Sequence, residues 1–285
     1  MKIVTDCAAD MPQAELEALG ITQAPLYIQF PEGEVNSSDI TLDAFYDRLE
    51  AMRPVIPTTA LPSSGAFEDL YNKLAGAGEQ VLSIHISSGL SGTFNSARVG
   101  GEQAKPKVNT WDTMTLSGGE RFQVLAAAWA DRAGWELERI FERLEQIRAN
   151  TEVIYTLETL EYLAHGGRIG RVQALMGSVL KIKPIIRVDH ADGKYSTVSK
   201  SRTIPQALDG IVDHLYQTYA DKPVWLNILH GRFAQAAEDL AAKAKLRLNV
   251  ARFEMNRISP VLGVHTGPGI VGAGVLPISL VEDLL

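Results

Sequence analysis

A run of hydroxyl side chains and glycines lies between an apolar segment and a helix-forming segment near residue 90. Residues 81–86 (VLSIHI) are apolar or β-branched, residues 87–93 (SSGLSGT) combine hydroxyls with glycines, and residues 94–97 favour a helix. This order places the loop at a helix N-terminus, where free N–H groups and the helix dipole favour an anion. The sequence predicts a carboxylate or phosphate site here, although a simple helix-capping turn explains the same residues equally well.

Three other segments carry residues that could serve the same anion. Residues 57–63 (PTTALPS) contain Thr59, residues 165–171 (HGGRIGR) contain Arg168, and residues 263–269 (GVHTGPG) place His265 in a predicted Gly/Pro-rich loop. Each segment also has an ordinary structural explanation: a helix cap, a surface arginine, and a turn with a hydrogen-bonded histidine.

Composition narrows the possible ligands. The chain has 285 residues and a formal net charge of −7, which disfavours a nucleic-acid partner because phosphate binding relies on clustered Lys and Arg. A lone cysteine, Cys7, permits no internal disulfide and no zinc site by itself, which excludes a disulfide scaffold and a Cys-rich metal domain. We expect no metal and no cofactor. No apolar run approaches the ~18 residues that span a bilayer, and no signal peptide is evident. We therefore expect a cytoplasmic protein without a transmembrane segment.

Helices and strands alternate in the first half of the sequence. Strands are predicted at residues 2–6, 21–30, 81–86 and 108–112, with amphipathic helices between them. A capping box of Ser117 and Glu120 is predicted to begin a long Ala-rich helix. This alternation predicts an α/β domain with a mostly parallel, helix-covered sheet, and ligands of such sheets bind at the carboxyl ends of the strands.

The second half has a different pattern, and we place a domain boundary near Asn150. Residues 171–180 are predicted to form a helix that leads into a strand, and the Asp192-Gly193 pair predicts a hairpin. Two terminal strands should flank the His265 loop. We expect an N-terminal α/β domain at residues 1–150 and an α+β domain with a mixed or antiparallel sheet at residues 151–285.

In combination, these segments resemble the DegV family of bacterial fatty-acid-binding proteins, which includes the binding subunits of fatty acid kinase. The matching segments are T5DCAAD, T58TALPS, S87SGLSGTFNSA, L160EYLAHGGRIG, K181IKPII with D192GKY, and H265TGPG. The resemblance implies a buried long acyl chain whose carboxylate is held by Thr59 and Ser91. It also implies that other residues lie near the head group: Arg168, His265, Ser88 and Gly92.

The resemblance implies a lipid-binding protein without catalytic residues, serving lipid transport or presenting the acid to a fatty acid kinase. Lys200 and Arg202, after the hairpin, would then face that partner. Burial of a C16 chain such as palmitate removes about 14 methylenes from water at ~0.8 kcal/mol each, so the tail supplies most of the affinity. The alternative is a phosphoryl-transfer enzyme that uses the hydroxyl loop as a phosphate cradle with His265.

Two positions depart from the family pattern. The Thr-Ser-Gln-Pro-Ser of most members is replaced here by residues 59–63 (TALPS), so Ala60 and Leu61 stand where a hydroxyl and an amide are usual. Cys7 replaces the serine of the N-terminal Asp-Ser pair, and its simplest role is that of a small buried residue. The head-group network is therefore expected to be thinner than in other members.

Overall fold

Three β-sheets, with helices packed against them, make up the protein. The structure is a computed structural model that describes residues 1–175 and 182–285. The strands are β1 (Lys2–Asp6), β2 (Ile21–Ala24), β3 (Tyr27–Phe30), β4 (Gly33–Asn36), β5 (Thr58–Ala60), β6 (Gln80–His85), β7 (Lys107–Asp112), β8 (Glu152–Leu157), β9 (Lys183–Val188), β10 (Tyr195–Ser201), β11 (Val224–His230), β12 (Val250–Arg257) and β13 (Ile270–Pro277). The helices are α1 (Gln13–Leu19), α2 (Leu42–Ala51), α3 (Ser64–Leu74), α4 (Thr93–Gln103), α5 (Ser117–Arg132), α6 (Leu137–Asn150), α7 (Glu161–His165), α8 (Ile204–Tyr219), α9 (Ala234–Arg247) and α10 (Pro260–Thr266).

The first sheet is parallel throughout, as the alternating pattern predicts. Its strand order is β2-β1-β6-β7, and α1 returns the chain from β1 to β2. Gly20 ends α1 in the left-handed conformation that glycine adopts without a steric penalty. Asp6, His85 and Asp112 end β1, β6 and β7 at one edge of this sheet, which is where the hydroxyl loop begins.

The single strand predicted at residues 21–30 is wrong, because the chain changes sheets within it. Strand β2 pairs with β1, whereas β3 pairs antiparallel with β4 and β5 in a second, three-stranded sheet. Pro25 lies between β2 and β3, and its missing N–H favours a break in the ladder. The second sheet sets Thr59 of β5 opposite Ile28 of β3.

The third sheet is mixed, in agreement with the predicted α+β domain. Its order is β10-β9-β8-β13-β11-β12, and only the β11–β12 pair is parallel among the described strands. The predicted hairpin is confirmed as β9–β10, with Gly193 in its turn. Residues 171–175 of the predicted helix belong to a 3₁₀ helix that spans Gly170–Leu175, and residues 176–180 of that prediction lie outside the described residues.

Helix α5 lies between the parallel and the mixed sheets and is buried along most of its length. The capping box predicted at its start is wrong. Ser117 has a φ of +54° and donates its hydroxyl to the Asp10 carboxylate, while the fully buried Glu120 accepts a 3.3 Å hydrogen bond from the Thr5 hydroxyl. The helix begins inside the interface between two sheets, so its polar side chains bind tertiary partners instead of each other.

The predicted terminal loop is also wrong, since residues 260–266 form α10. Pro260 occupies the first turn, where its missing N–H costs nothing, and Gly267 ends the helix with a φ of +73°. His265 therefore lies in the last turn of a buried helix.

None of the helices in residues 1–175 and 182–285 is long and apolar enough to span a bilayer.

The core around α5 combines residues from both sides of Asn150, for example Phe122 and Trp225, whose ring centroids lie 4.7 Å apart. The domain boundary at this residue stays a prediction.

Candidate functional site

Thr59, Ser91, Arg168 and His265 line a single cavity, although the sequence separates them by up to 206 residues. We call it the polar cavity. The remainder of its lining is mostly apolar and includes Ala60 and Leu61, the two positions that depart from the family pattern. The cavity is narrow, with a volume of about 50 Å³. Polar groups therefore gather at one site within an apolar enclosure, which is typical of small-molecule sites.

The Thr59 hydroxyl lies 2.8 Å from Nε2 of His265. Strand β5 presents Thr59 from the three-stranded sheet, and α10 presents the imidazole, which is 8% exposed. Gly166 leaves room for the ring, because a Cβ at this position would come within 2.2 Å of Nδ1 of His265. The glycine after α7 is thus required by the packing of the histidine.

His265 is a neutral imidazole at physiological pH. Burial, followed by the positive charges of Arg168 and His165, lowers its pKa to about 3. Its Nδ1 is buried and has no hydrogen-bond partner in the described part of the protein. We assign the proton to Nε2, since an unpaired acceptor is a smaller penalty than an unpaired N–H donor. In this tautomer Nε2 donates to Thr59, whose own O–H is free to donate into the cavity.

Ser91 is positioned by its own loop. Its N–H donates to the Ser87 carbonyl at 3.0 Å, and its Oγ accepts from the Thr93 N–H at 3.3 Å. The two hydroxyls of Ser91 and Thr93 lie 2.8 Å apart. With these contacts the Ser91 hydroxyl can direct a proton toward an anionic group beside Thr59.

Arg168 brings a positive charge to the same end of the cavity. Its guanidinium donates to two backbone carbonyls, Leu90 at 3.3 Å and Gly166 at 2.7 Å, rather than to a carboxylate. The charge therefore stays available to an anionic ligand. Ser88 and Gly92, also predicted near the head group, line an adjoining open cleft, and that cleft includes Arg168 and Ser91.

A buried polar chain beneath the hydroxyl loop was missed by sequence reasoning. Asp6 accepts hydrogen bonds from the N–H groups of Ala8 and Ile86 at 3.0 and 3.1 Å, and from Nδ1 of His85 at 2.9 Å. Nε2 of His85 lies 2.7 Å from the Ser83 hydroxyl. Asp6, Ser83 and His85 are fully buried, so this hydrogen-bond network joins the ends of β1 and β6 and supports the loop, and none of the three belongs to the described lining of the polar cavity. The aspartate of the T5DCAAD segment, Asp6, is the sequence feature that could have indicated this buried hydrogen-bond network.

A second cavity, here called the apolar cavity, lies beside the first and shares two lining residues with it. It has a volume of about 20 Å³ and is walled mainly by aliphatic and aromatic side chains such as Leu116, Val153, Tyr155 and Leu229. Tyr195 and Leu262 line both cavities. Neither was singled out from the sequence, because a tyrosine after a hairpin turn and a leucine in an apolar run are ordinary core residues.

The remaining predicted residues lie apart from the cavities. Lys200 and Arg202 are exposed at the end of β10 and do not belong to the described lining of either cavity. Cys7 is buried, as expected, and desolvation raises the pKa of its thiol. In the described residues no three His, Cys, Asp or Glu side chains are grouped as a metal site would require.

Fold and cavities together define a two-domain α/β protein in which a cavity with several polar side chains lies beside an apolar one. The DegV family model, described as that of an uncharacterised protein, matches residues 1–277. The chain belongs to the DegV family.

Curated relatives cover nearly the whole chain. A DegV domain-containing protein of Deinococcus radiodurans is 31% identical over 96% of this chain and 95% of its own length. Another, from Clostridium acetobutylicum, is 33% identical over 95% of this chain and 96% of its own length.

Solved structures agree with the fold. A Thermus thermophilus DegV-family protein, described as fatty acid binding, has a TM-score of 0.90 and 29% identity over 97% of this chain and 99% of its own. DegV of Bacillus subtilis, described as a fatty acid binding protein, has a TM-score of 0.85 and 29% identity over 96% and 98%.

Proposed function

We propose that this protein binds a long-chain fatty acid, with the carboxylate held by Thr59 and Ser91 and the acyl chain in the apolar surroundings. The observation that carries the proposal is the convergence of Thr59, Ser91, Arg168 and His265 at one end of an otherwise apolar cavity. The fatty acid binding described for the Thermus thermophilus and Bacillus subtilis proteins supports it.

The polar end suits a carboxylate in particular. An oxyanion buried without donors costs several kcal/mol, and O–H groups donated by Thr59 and Ser91 would offset this cost. The Arg168 charge lies at the same end and favours the ionised acid over an ester or alcohol. The neutral His265 adds no charge of its own and instead orients the Thr59 hydroxyl.

We propose a non-catalytic role. The alternative, phosphoryl transfer with His265, needs an accessible imidazole nitrogen, but Nε2 of His265 is bonded to Thr59 and Nδ1 faces Gly166 in the protein interior. The same geometry is what a fixed hydrogen-bonding residue in a binding site requires.

A more specific proposal than fatty acid binding alone is that a fatty acid kinase phosphorylates the bound acid. Ser91 and Arg168 line both the polar cavity and the open cleft beside it, so a partner could reach the carboxylate through the cleft. Lys194 also lines this cleft. Strand β10 begins at the next residue, and the exposed Lys200 and Arg202 lie at its far end. These positive charges on a protein of net charge −7 favour an acidic partner surface.

The test is calorimetric titration of delipidated protein with palmitic acid, methyl palmitate and hexadecanol. We expect tight 1:1 binding of the acid and binding of the two neutral analogues that is weaker by at least tenfold, because they retain the tail and lose the charge. Equal affinity for all three compounds would contradict recognition of the carboxylate. If none of the three compounds binds, the proposed function is wrong.

A further inference from the structure

Two side chains border both the polar cavity and the apolar cavity. Tyr195 and Leu262 line both, and no other described residue is shared between the two linings. An acyl chain that extends from Thr59 and Ser91 into the apolar cavity would therefore run along these two side chains, which we treat as a constriction. Both are buried, at 4% and 7% exposure.

The backbone before Tyr195 is held in place by the hydroxyl loop. The Ser87 hydroxyl donates to the Gly193 carbonyl at 2.8 Å. A Cβ at Gly193 would lie 1.9 Å from that hydroxyl, and a Cβ at Gly89 would lie 2.4 Å from the Asp192 carbonyl, so the hairpin turn and the loop pack without space for a methyl group. The same contact thus fixes Ser91 on one side and Tyr195 on the other.

The ring of Tyr195 is supported from the apolar cavity by Tyr155. Their centroids lie 5.7 Å apart with an interplanar angle of 89°, an edge-to-face arrangement of the kind aromatic pairs prefer. Leu262 projects from α10 one turn before His265. Because the Ser87 hydrogen bond holds the hairpin backbone and α10 is buried, we expect the constriction to widen by rotation or displacement of these side chains.

We infer that Tyr195 determines the chain-length preference of the site. This inference rests on the proposed function and adds a specificity residue to it. Carbons in the polar cavity contribute the usual gain of about fourfold in affinity per methylene. Carbons that must pass Tyr195 contribute less, because part of their burial energy displaces the tyrosine ring. The affinity of the wild-type protein should therefore rise with chain length, flatten where the chain meets Tyr195, and rise again beyond it.

The test is the dissociation constant for saturated acids from C8 to C18, measured for the wild type and three variants. Tyr195→Ala should abolish the flat region and raise the affinity for C14 to C18 relative to that for C8 by at least tenfold, whatever the change at C8 itself. Tyr195→Phe keeps the ring and should reproduce the wild-type profile. Leu229→Phe adds bulk to the wall of the apolar cavity and should weaken the binding of the long acids only.

The outcomes separate the two hypotheses. A Tyr195→Ala profile parallel to the wild type, or a loss of affinity for long acids relative to C8 in that variant, would overturn the role of Tyr195 as a constriction while leaving fatty acid binding intact. Absence of binding at every length in the wild type would instead contradict the proposed function. Thermal unfolding of each variant ensures that only folded proteins are compared.

Discussion

Oγ1 of Thr59 and Nε2 of His265 lie 2.8 Å apart although 206 residues separate them in the sequence. This contact joins the three-stranded sheet to α10, and it orients the Thr59 hydroxyl toward the polar cavity. The proposed carboxylate site therefore exists only when both elements are docked.

Removal of either hydroxyl should weaken acid binding without unfolding the protein. Thr59→Ala and Ser91→Ala each delete one donor to a charged oxygen, which should cost ~1.5 to 3 kcal/mol, or roughly 10- to 150-fold in affinity. Titration of palmitic acid measures the change. Thr58→Ala is the matched control, because Thr58 is exposed and lies outside the described cavity lining. Equal affinities for Thr59→Ala and Thr58→Ala would exclude Thr59 from the site.

His265 should stay uncharged across the physiological range. Because burial lowers its pKa to about 3, the ring is neutral in the folded protein and titrates near 6.5 when unfolded. Its contribution to stability is complete above pH 6.5 and is lost as the pH falls toward 3. The ring ¹⁵N shifts should therefore be constant from pH 8 to 5 in folded protein and should titrate in urea. A midpoint near 6.5 in the folded protein would be inconsistent with this assignment.

Asp10 should make the protein less stable as the pH rises. Burial raises its pKa to about 7, against 3.8 for the unfolded group, so the folded state binds a proton that the unfolded state releases. The free energy of unfolding should fall between pH 4 and 7, by a term on the order of 3 kcal/mol from this group.

The Asp10→Asn variant isolates the pH-dependent contribution of Asp10 to the free energy of unfolding. Asn tolerates the φ of +51° at this position and can still accept the N–H of Ser259. Urea unfolding at several pH values gives the free energy of unfolding of the wild type minus that of the variant. For Asp10→Asn this difference should grow more negative from pH 4 to 7. For the control Asp39→Asn, at an exposed position, it should not change with pH. A constant difference for Asp10→Asn would mean that its carboxyl is ionised throughout this range.

Gly193 and Gly167 should respond differently to the same substitution. Both have positive φ, +63° and +71°, but a Cβ at Gly193 would meet the Ser87 hydroxyl at 1.9 Å whereas nothing lies within 4 Å of one at Gly167. Gly167→Ala should cost ~1 to 2 kcal/mol from backbone strain alone. Gly193→Ala should cost roughly 1 to 3 kcal/mol more from the clash. Urea unfolding measures both, and equal losses would show that the hairpin and loop are not tightly packed.

Charge reversal at the proposed partner surface should affect phosphorylation and not lipid binding. Lys200→Glu with Arg202→Glu should slow acyl-phosphate formation by a cognate kinase, more so at low salt, because exposed charges act chiefly on association rate. The matched control is Lys105→Glu with Lys222→Glu, two exposed lysines of which the second lies beyond the far end of α8. Parallel loss of binding and phosphorylation would assign Lys200 and Arg202 to the pocket instead.

Much of the fold could be predicted because hydrophobic periodicity is local. The amphipathic helices α2 and α3, the apolar strand β6 and the hairpin turn at Gly193 each record their structure in neighbouring residues. The prediction of an anion site at the hydroxyl loop was equally local, because it depends on residue types that follow a strand and precede a helix.

Two of the wrong predictions have different physical causes. Ser117 and Glu120 have the spacing of a capping box, yet the Asp10 carboxylate and the Thr5 hydroxyl compete for them across a buried interface. Here tertiary contacts outweigh the local preference. His265 follows an apolar run that looks like a strand, yet Pro260 in the first turn and Gly267 after the last turn bound a helix over residues 260–266.

The sequence by itself determined the types of chemistry available: hydroxyls, one arginine and one histidine in loops or element ends, on a chain rich enough in apolar residues to enclose a ligand. Only the tertiary structure decided which of them meet. Strand register selects Thr59 for the contact with His265, and the packing of a hairpin turn on the hydroxyl loop sets Tyr195 between two cavities. Such contacts join residues more than a hundred positions apart, so no local pattern encodes them, and they form only when the sheets pack together.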